Sequence, residues 1–496
     1  MPGGKTWSIS VYQLLEAIQF CYSYDLNGML KDIQFDDKSA IPIYRQLADA
    51  IASYIRGGAI LDGDRLPPTR ELAGQLGLNR TTVSAAYDLL ESEGLIKGHV
   101  GRGSFVSYAL HPQLSGSSFI SFASSRPAEA DFPVGAFQST CREVISGPMA
   151  SAILQLGLPS GYAPLRQYLL DSARSEGVAR PDDDILITSG CQQAMDLLQR
   201  VLAPPGSTVA IEDPVYHGQR NVFRRADIRL VPIPVLEDGV DIERLARVFA
   251  QERPKLVALT PNFQNPTGTT LPQASREAIV KLAAEFQVTT VENDIYGALR
   301  YTGYSLPTLK QLGGSVLIRS FSKIAFPGLR VGWIIGPAAL IAELTEARQW
   351  CDLHTDQLSQ AVLLRFAESG RLEEHCQRIR ALGRERLVAC LGACERHLPS
   401  GASFTRPEGG MSIWIRLPDP LDASELLPRA QREGVSYVPG KHFAVGPHDP
   451  RTFRLSFGGL APALIETGIA RLGRLFQEEL ERARSVSRFD AASALV

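Results

Sequence analysis

The chain has 496 residues, 44% of them hydrophobic and 21% charged, with a formal net charge of −2. At about 100–200 residues per domain, that length excludes a single core and asks for about two to four units. The near-neutral charge excludes a polycation that binds nucleic acid by bulk attraction, and no apolar run reaches the roughly 20 residues that span a bilayer.

Residues 1–35 read as an N-terminal extension. The stretch from Trp7 to Met29 is apolar but lacks a basic start and a small-residue cleavage site, and Met29 is an alternative start. A first domain is expected over 36–107. Pro42 opens a helix whose apolar residues at 43, 47, 51 and 55 keep helical period, and Gly57-Gly58 stops it. Thr69 is placed to cap a second helix, Gly77 to turn the chain, and Asn79 to cap a third helix over 80–92 that buries Val83, Ala86, Tyr87 and Leu90. Two short helices joined through a glycine turn make a helix-turn-helix, and the run from Gly94 to Val106 reads as two strands around a glycine-rich tip, a wing.

Over its whole length this segment resembles the winged-helix domain of the GntR regulator family. The resemblance implies DNA contacts at Arg70, at Asn79, Arg80, Thr81 and Thr82 opening the recognition helix, and at Gly101 and Arg102 in the wing. Those residue types suit the task, because arginine forks fit guanine edges and phosphates and threonine hydroxyls fit phosphates. Ser84 stands where the family often has a further basic residue. From Arg45 to Arg102 seven basic side chains are balanced by seven acidic ones, so a single neutral head is expected to bind weakly and a dimer to present two.

Residues 108–119, rich in Ser, Gly and Pro, are expected to be a linker, 120–480 the body, and 481–496 a frayed tail. In the body, strand-like runs at 185–188, 208–211, 256–260, 289–292, 316–320 and 332–336 alternate with helical stretches, which predicts an α/β layer with a mainly parallel sheet and chemistry at the strand ends. Gly190, Cys191 and Gln192 follow a strand and open a helix, a place where backbone amides grip a phosphate. Tyr216 is placed to stack on a pyridine ring, and Asn265 and Tyr296 to bond its phenolate oxygen. Asp294 is placed to pair with the ring nitrogen and keep it protonated. Ser320, Ser322 and Arg330 supply further phosphate partners, and Lys323 the amine that captures an aldehyde as a Schiff base. Arg454 is placed to bind a substrate carboxylate. Asn-Pro-Thr-Gly alone is an ordinary turn and Asp294 alone a helix cap; the order, spacing and strand-end placement together point to pyridoxal phosphate (PLP).

The body resembles the class I/II aminotransferases of PLP fold type I. That implies a large, mainly parallel sheet domain, a small C-terminal α+β domain from about Glu343, and a homodimer with the site at the subunit interface. Residues 120–133 resemble the family's N-terminal segment over the substrate. With its head, the whole chain resembles the MocR-type regulators. Leu156 replaces a tyrosine with which that family reaches the neighbouring subunit's phosphate, so a firmly held cofactor and fast turnover are less expected. The function expected is a transcriptional regulator that binds operator DNA and senses PLP, an amino-acid effector, or both, through an aldimine at Lys323. The alternative is a working aminotransferase with an appended head. The seven cysteines lack C-x-x-C spacing and paired histidines, as expected of reduced thiols in a cytoplasmic protein without a bound metal.

Overall fold

The computed structural model describes residues 42–56, 64–93, 95–99, 103–106 and 119–493, with Leu30, Ile33, Phe35 and Ile60. Residues 1–29, the wing-tip residues Gly101 and Arg102, linker residues 108–118 and residues 494–496 lie outside it. The chain divides into two compact units at Ser117, a head and a body.

In the head, α1 (Ile43–Arg56), α2 (Thr69–Leu76) and α3 (Arg80–Ser92) precede an antiparallel pair, β1 (Ile96–His99) and β2 (Gly103–Val106). Leu47, Ile51, Ile55, Leu72, Val83, Ala86 and Leu90 close one core, and Tyr87 donates from its hydroxyl to the Pro67 carbonyl at 2.8 Å. Leu30, Ile33 and Phe35 pack into this core, so the head begins earlier than residue 36. Thr69 does not cap α2. It is the first helical residue, and Pro68 takes the cap position with no side-chain bond, its carbonyl accepting from the Glu71 and Leu72 amides. Gly77 ends α2 in the left-handed region at φ 66°, a conformation that favours glycine.

The body opens with β3 (Ile120–Ser121), followed by helices α4 (Val134–Ile145) and α5 (Ala163–Ser175). The large sheet is then built from β4 (Asp183–Thr188), β5 (Thr208–Asp213), β6 (Arg229–Leu236), β7 (Gly239–Val240), β8 (Leu256–Leu259), β9 (Thr289–Asn293), β10 (Val316–Ser320) and β11 (Gly332–Pro337). Its order is β4-β11-β10-β9-β8-β5-β6-β7, with β10, β9, β8, β5 and β6 mutually parallel and β11 antiparallel to both neighbours. Helices α6 (Cys191–Leu202) and α7 (His217–Arg225) follow β4 and β5. Strand residues alternate between faces: Leu186, Ile211, Val291, Ile318 and Ile334 pack against Ala194, Leu197 and Leu198 of α6, whereas Ile185, Ile187, Leu317 and Ile335 pack against Leu165 and Leu169 of α5.

Helices α8 (Ala338–Asp352) and α9 (Gln357–Glu368) bury Ile341 and Leu344, and Leu363, on the large sheet. The small domain therefore begins later than Glu343, with α10 (Arg371–His397). Its sheet, β12 (Ser403–Phe404), β13 (Ser412–Arg416), β15 (Val438–Pro439) and β16 (Thr452–Ser456), packs beside β14 (Val435–Ser436), which pairs in parallel with β3. A last helix, α11, runs Pro462–Ser493, past the tail expected from residue 481; pairs such as Gln477–Glu481 and Arg482–Glu479 support it.

Candidate functional site

The site collects at the C-terminal ends of β4, β5, β8, β9 and β10, the crevice where open parallel sheets bind ligands. Gly190 precedes α6 at φ 80°, and a Cβ there would collide with the Arg330 guanidinium. Glycine is needed on both counts. Arg330 Nη2 donates to the Ser189 carbonyl at 3.2 Å and Nη1 lies 3.4 Å from Ser322 Oγ. Ser320 Oγ accepts from the Ser322 amide at 3.0 Å and donates to the Val331 carbonyl at 3.0 Å. Cys191 begins α6 beside this cluster, its thiol pushed up to about 12 by burial, and Gln192 ties α6 to α7 through the Gly218 carbonyl at 3.1 Å. A helix N-terminus, two hydroxyls and a guanidinium thus converge as a phosphate would require.

Lys323 is partly buried, and desolvation lowers its pKa from 10.5 to about 8. Its Nζ donates to the Ser125 carbonyl at 2.7 Å and lies 5.6 Å from the centre of the Tyr296 ring. Asn265 donates to the Tyr296 hydroxyl at 3.3 Å and accepts from Arg454 Nη1 at 2.9 Å. Arg454 Nη2 donates to the Ala123 carbonyl at 2.6 Å, while its Nε is buried with no partner among the described residues. Tyr216, 38% exposed, stands at the turn from β5 into α7.

Asp294 departs from expectation. Its Oδ1 accepts from Asn262 Nδ2 at 2.8 Å and its Oδ2 pairs with Arg319 Nε at 3.2 Å; Arg319 in turn holds Glu176 at 2.9 Å. Burial opposes the charge on Arg319, but the two carboxylates outweigh it and raise its pKa. Asp294 therefore closes a structural ion network on the α5 face of the sheet. Asn293, on the α6 face, donates to Gln219 Oε1 at 3.4 Å. Neither amide was singled out from the sequence, although the alternation of faces counted from Val291 would have found Asn293. The carbonyls of Ala123 and Ser125 had no local signal at all.

In the head, Arg70, Asn79, Arg80 and Thr81 are exposed and Thr82 half-buried. Asn79 Oδ1 accepts from the Thr81 amide at 3.1 Å and from its hydroxyl at 3.0 Å, so Asn79 caps α3 as expected. The Thr81, Thr82 and Val83 amides all bond to Asn79, so this helix start presents its exposed side chains outward.

Residues 149–472 match the family Aminotransferase class I and II. The chain belongs to that family. Residues 43–106 match the bacterial regulatory proteins of the gntR family. The aminotransferase part is 34% identical to aromatic-amino-acid aminotransferase 1 of Thermococcus litoralis over 74% of this chain and 90% of that one. It superposes on the kynurenine aminotransferase of Pyrococcus horikoshii with a TM-score of 0.71 at 36% identity, covering 74% of this chain and 92% of the other. Head and body together are 27% identical to the probable rhizopine catabolism regulatory protein MocR of Rhizobium meliloti, over 89% of this chain and 95% of that one. This family member thus has the MocR-type arrangement, and its cofactor is PLP, which the partly buried lysine, the Gly190 cradle and the orphaned Arg454 Nε fit.

Proposed function

We propose that this aminotransferase-family protein is a DNA-binding transcriptional regulator whose body senses PLP, an amino acid, or both. One observation carries the reading. The first described stretch of the body, which chain continuity places directly after the segment leading from the head, takes two of its hydrogen bonds from site residues. They come from Lys323 to the Ser125 carbonyl and from Arg454 to the Ala123 carbonyl.

Bound PLP supplies an aldehyde that takes up amines and a ring that draws electron density from what is attached. The residues divide the work of holding it. Arg330, Ser320, Ser322 and the start of α6 at Gly190, Cys191 and Gln192 would bind its phosphate, Tyr216 would cover the ring, and Asn265 and Tyr296 would orient it. Lys323, half neutral near pH 8, would be the amine that holds the aldehyde end. An amino-acid carboxylate would take the Nε–Nη2 edge of Arg454, which requires Nη2 to leave the Ala123 carbonyl. A cofactor held at Lys323 would compete with the Ser125 carbonyl for that nitrogen. Both ties on residues 123–125 are therefore sensitive to what the site holds. An effector that prefers the released arrangement shifts the chain toward it and changes how the heads are presented to DNA.

Operator binding by two heads requires two copies. Val134, Ile145, Met149, Leu154, Leu156, Leu158, Trp350 and Leu353 are each more than half exposed, an apolar set that supports pairing of bodies. The regulator reading is tested by footprinting the gene's own upstream region with and without PLP and candidate amino acids. If Lys323→Ala left both the yellow absorbance and the effector response intact, the reading would be wrong. A second reading, catalytic transamination, is favoured by the lowered pKa of Lys323; steady turnover between an amino acid and a 2-oxoacid would promote it.

A further inference from the structure

In β9 and β10 successive side chains face opposite sides of the sheet. Val291 and Ile318 lie in the core shared with α6. Asn293 follows Val291 by two residues and pairs in register with Ile318; Ser320 follows Ile318 by two. Asn293 and Ser320 thus stand on the same face, at the ends of adjacent parallel strands, with the Gly190 cradle on that side. Glu292 and Asp294 point the other way, Glu292 to the Lys310 amide at 3.0 Å and Asp294 to Asn262 and Arg319.

Asn293 and Gln219 are both buried, and their amides meet, Nδ2 to Oε1 at 3.4 Å. Asn293 Oδ1 and Gln219 Nε2 then have no partner among the described residues. Buried polar groups are nearly always paired, so two adjacent orphans at the strand ends on the side of the Gly190 cradle mark where a polar atom of the ligand belongs. Gln219 lies in the first turn of α7, three residues after Tyr216, and Gln192 reaches the same turn at Gly218. The amide pair therefore sits beside the aromatic ring and helix start that would flank the cofactor.

We infer that Asn293 and Gln219, not Asp294, face the pyridine nitrogen of the bound cofactor and leave it unprotonated. The inference rests on the PLP reading of Lys323 and deepens it. A carboxylate 4 Å away, at an effective dielectric constant of about 20, would raise the nitrogen's affinity for a proton about a thousandfold. Amides carry no such charge, and the unpaired N–H group of Gln219 Nε2 bonds best to a nitrogen whose lone pair is free. Asp294 cannot act in their place, because its oxygens are committed to Asn262 and Arg319 on the opposite face. An unprotonated ring is a weak electron sink, so this site holds an amino acid more readily than it converts one. That suits a sensor.

The test is the ring-nitrogen signal of the full-length protein loaded with 15N-pyridine PLP, recorded by NMR from pH 6 to 8.5. The wild-type protein is expected to show a bare nitrogen throughout and Asn293→Asp a protonated one. In a single-turnover half-reaction with an amino acid, Asn293→Asp should be at least about tenfold faster. Asp294→Asn should leave the nitrogen signal where it is. A pyridinium signal in the wild-type protein at pH 8, or one that Asp294→Asn abolishes, overturns the inference, and the wild-type spectrum decides even if the variants fail to fold. Absence of any Lys323-dependent absorbance in the wild-type protein would instead overturn the cofactor reading, and the inference with it.

Discussion

Lys323 permits a quantitative test of how the site is built. Burial holds its pKa at about 8 instead of 10.5, and the guanidinium groups of Arg454, Arg126 and Arg330 act in the same direction. At pH 7 a lysine of pKa 8 is about one-tenth neutral, against about three parts in ten thousand for an unshifted one, so its attack on an aldehyde gains about 300-fold on this ground. Mixing cofactor-free protein with PLP in a stopped-flow spectrometer should show capture rates rising about tenfold per pH unit and levelling near pH 8. The same burial has a stability consequence. Below pH 8 the folded chain carries a partly buried charge that is solvated when unfolded, and this costs about 3 kcal/mol. The folded pKa is the lower one, so the cost is fully present below pH 8 and is relieved between pH 8 and 10.5. Cofactor-free Lys323→Met should therefore resist urea better than the wild type at pH 7, with the difference vanishing above pH 10.5. A capture profile that bends only above pH 9.5, or capture that survives in Lys323→Met, would refute the reasoning.

Gly190→Ala forces a side chain into the left-handed region and against Arg330, and should weaken PLP binding about 10- to 100-fold in equilibrium dialysis, with amino-acid specificity unchanged. Arg454→Met removes the carboxylate fork; spectral titration of the loaded protein should show amino-acid affinity down about 10- to 100-fold while PLP stays bound. Arg80→Ala, at the exposed start of α3, should lower operator affinity and reduce the slope of log K against log salt by about one per head, read by fluorescence anisotropy.

Much of this architecture is written in short stretches of sequence. Asn79 caps α3 and Gly77 turns the chain because each acts through neighbours no more than four residues away. Each strand-like run of the body becomes a strand of the large sheet, because a buried run of Val, Ile and Leu has few other places to go. β6 escaped notice since Pro232 and Pro234 interrupt it, and proline normally argues against a paired strand. Asp294 shows a different limit: a carboxylate is the obvious partner for a pyridine nitrogen, yet the alternation of strand faces turns Asp294 toward Asn262 and Arg319 and Asn293 toward the α6 face.

The sequence by itself determined the two-part plan, the capped recognition helix and the loops that carry the PLP residues, because these follow from local period, caps and turns. Only the tertiary structure decided which way each strand-end side chain points, which amides lie together unpaired, and which backbone carbonyls engage Lys323 and Arg454. The bonds from those two side chains span 198 and 331 residues of chain. Backbone carbonyls are the same at every position, so no residue type announces such a partner; only the packing of the folded body selects it.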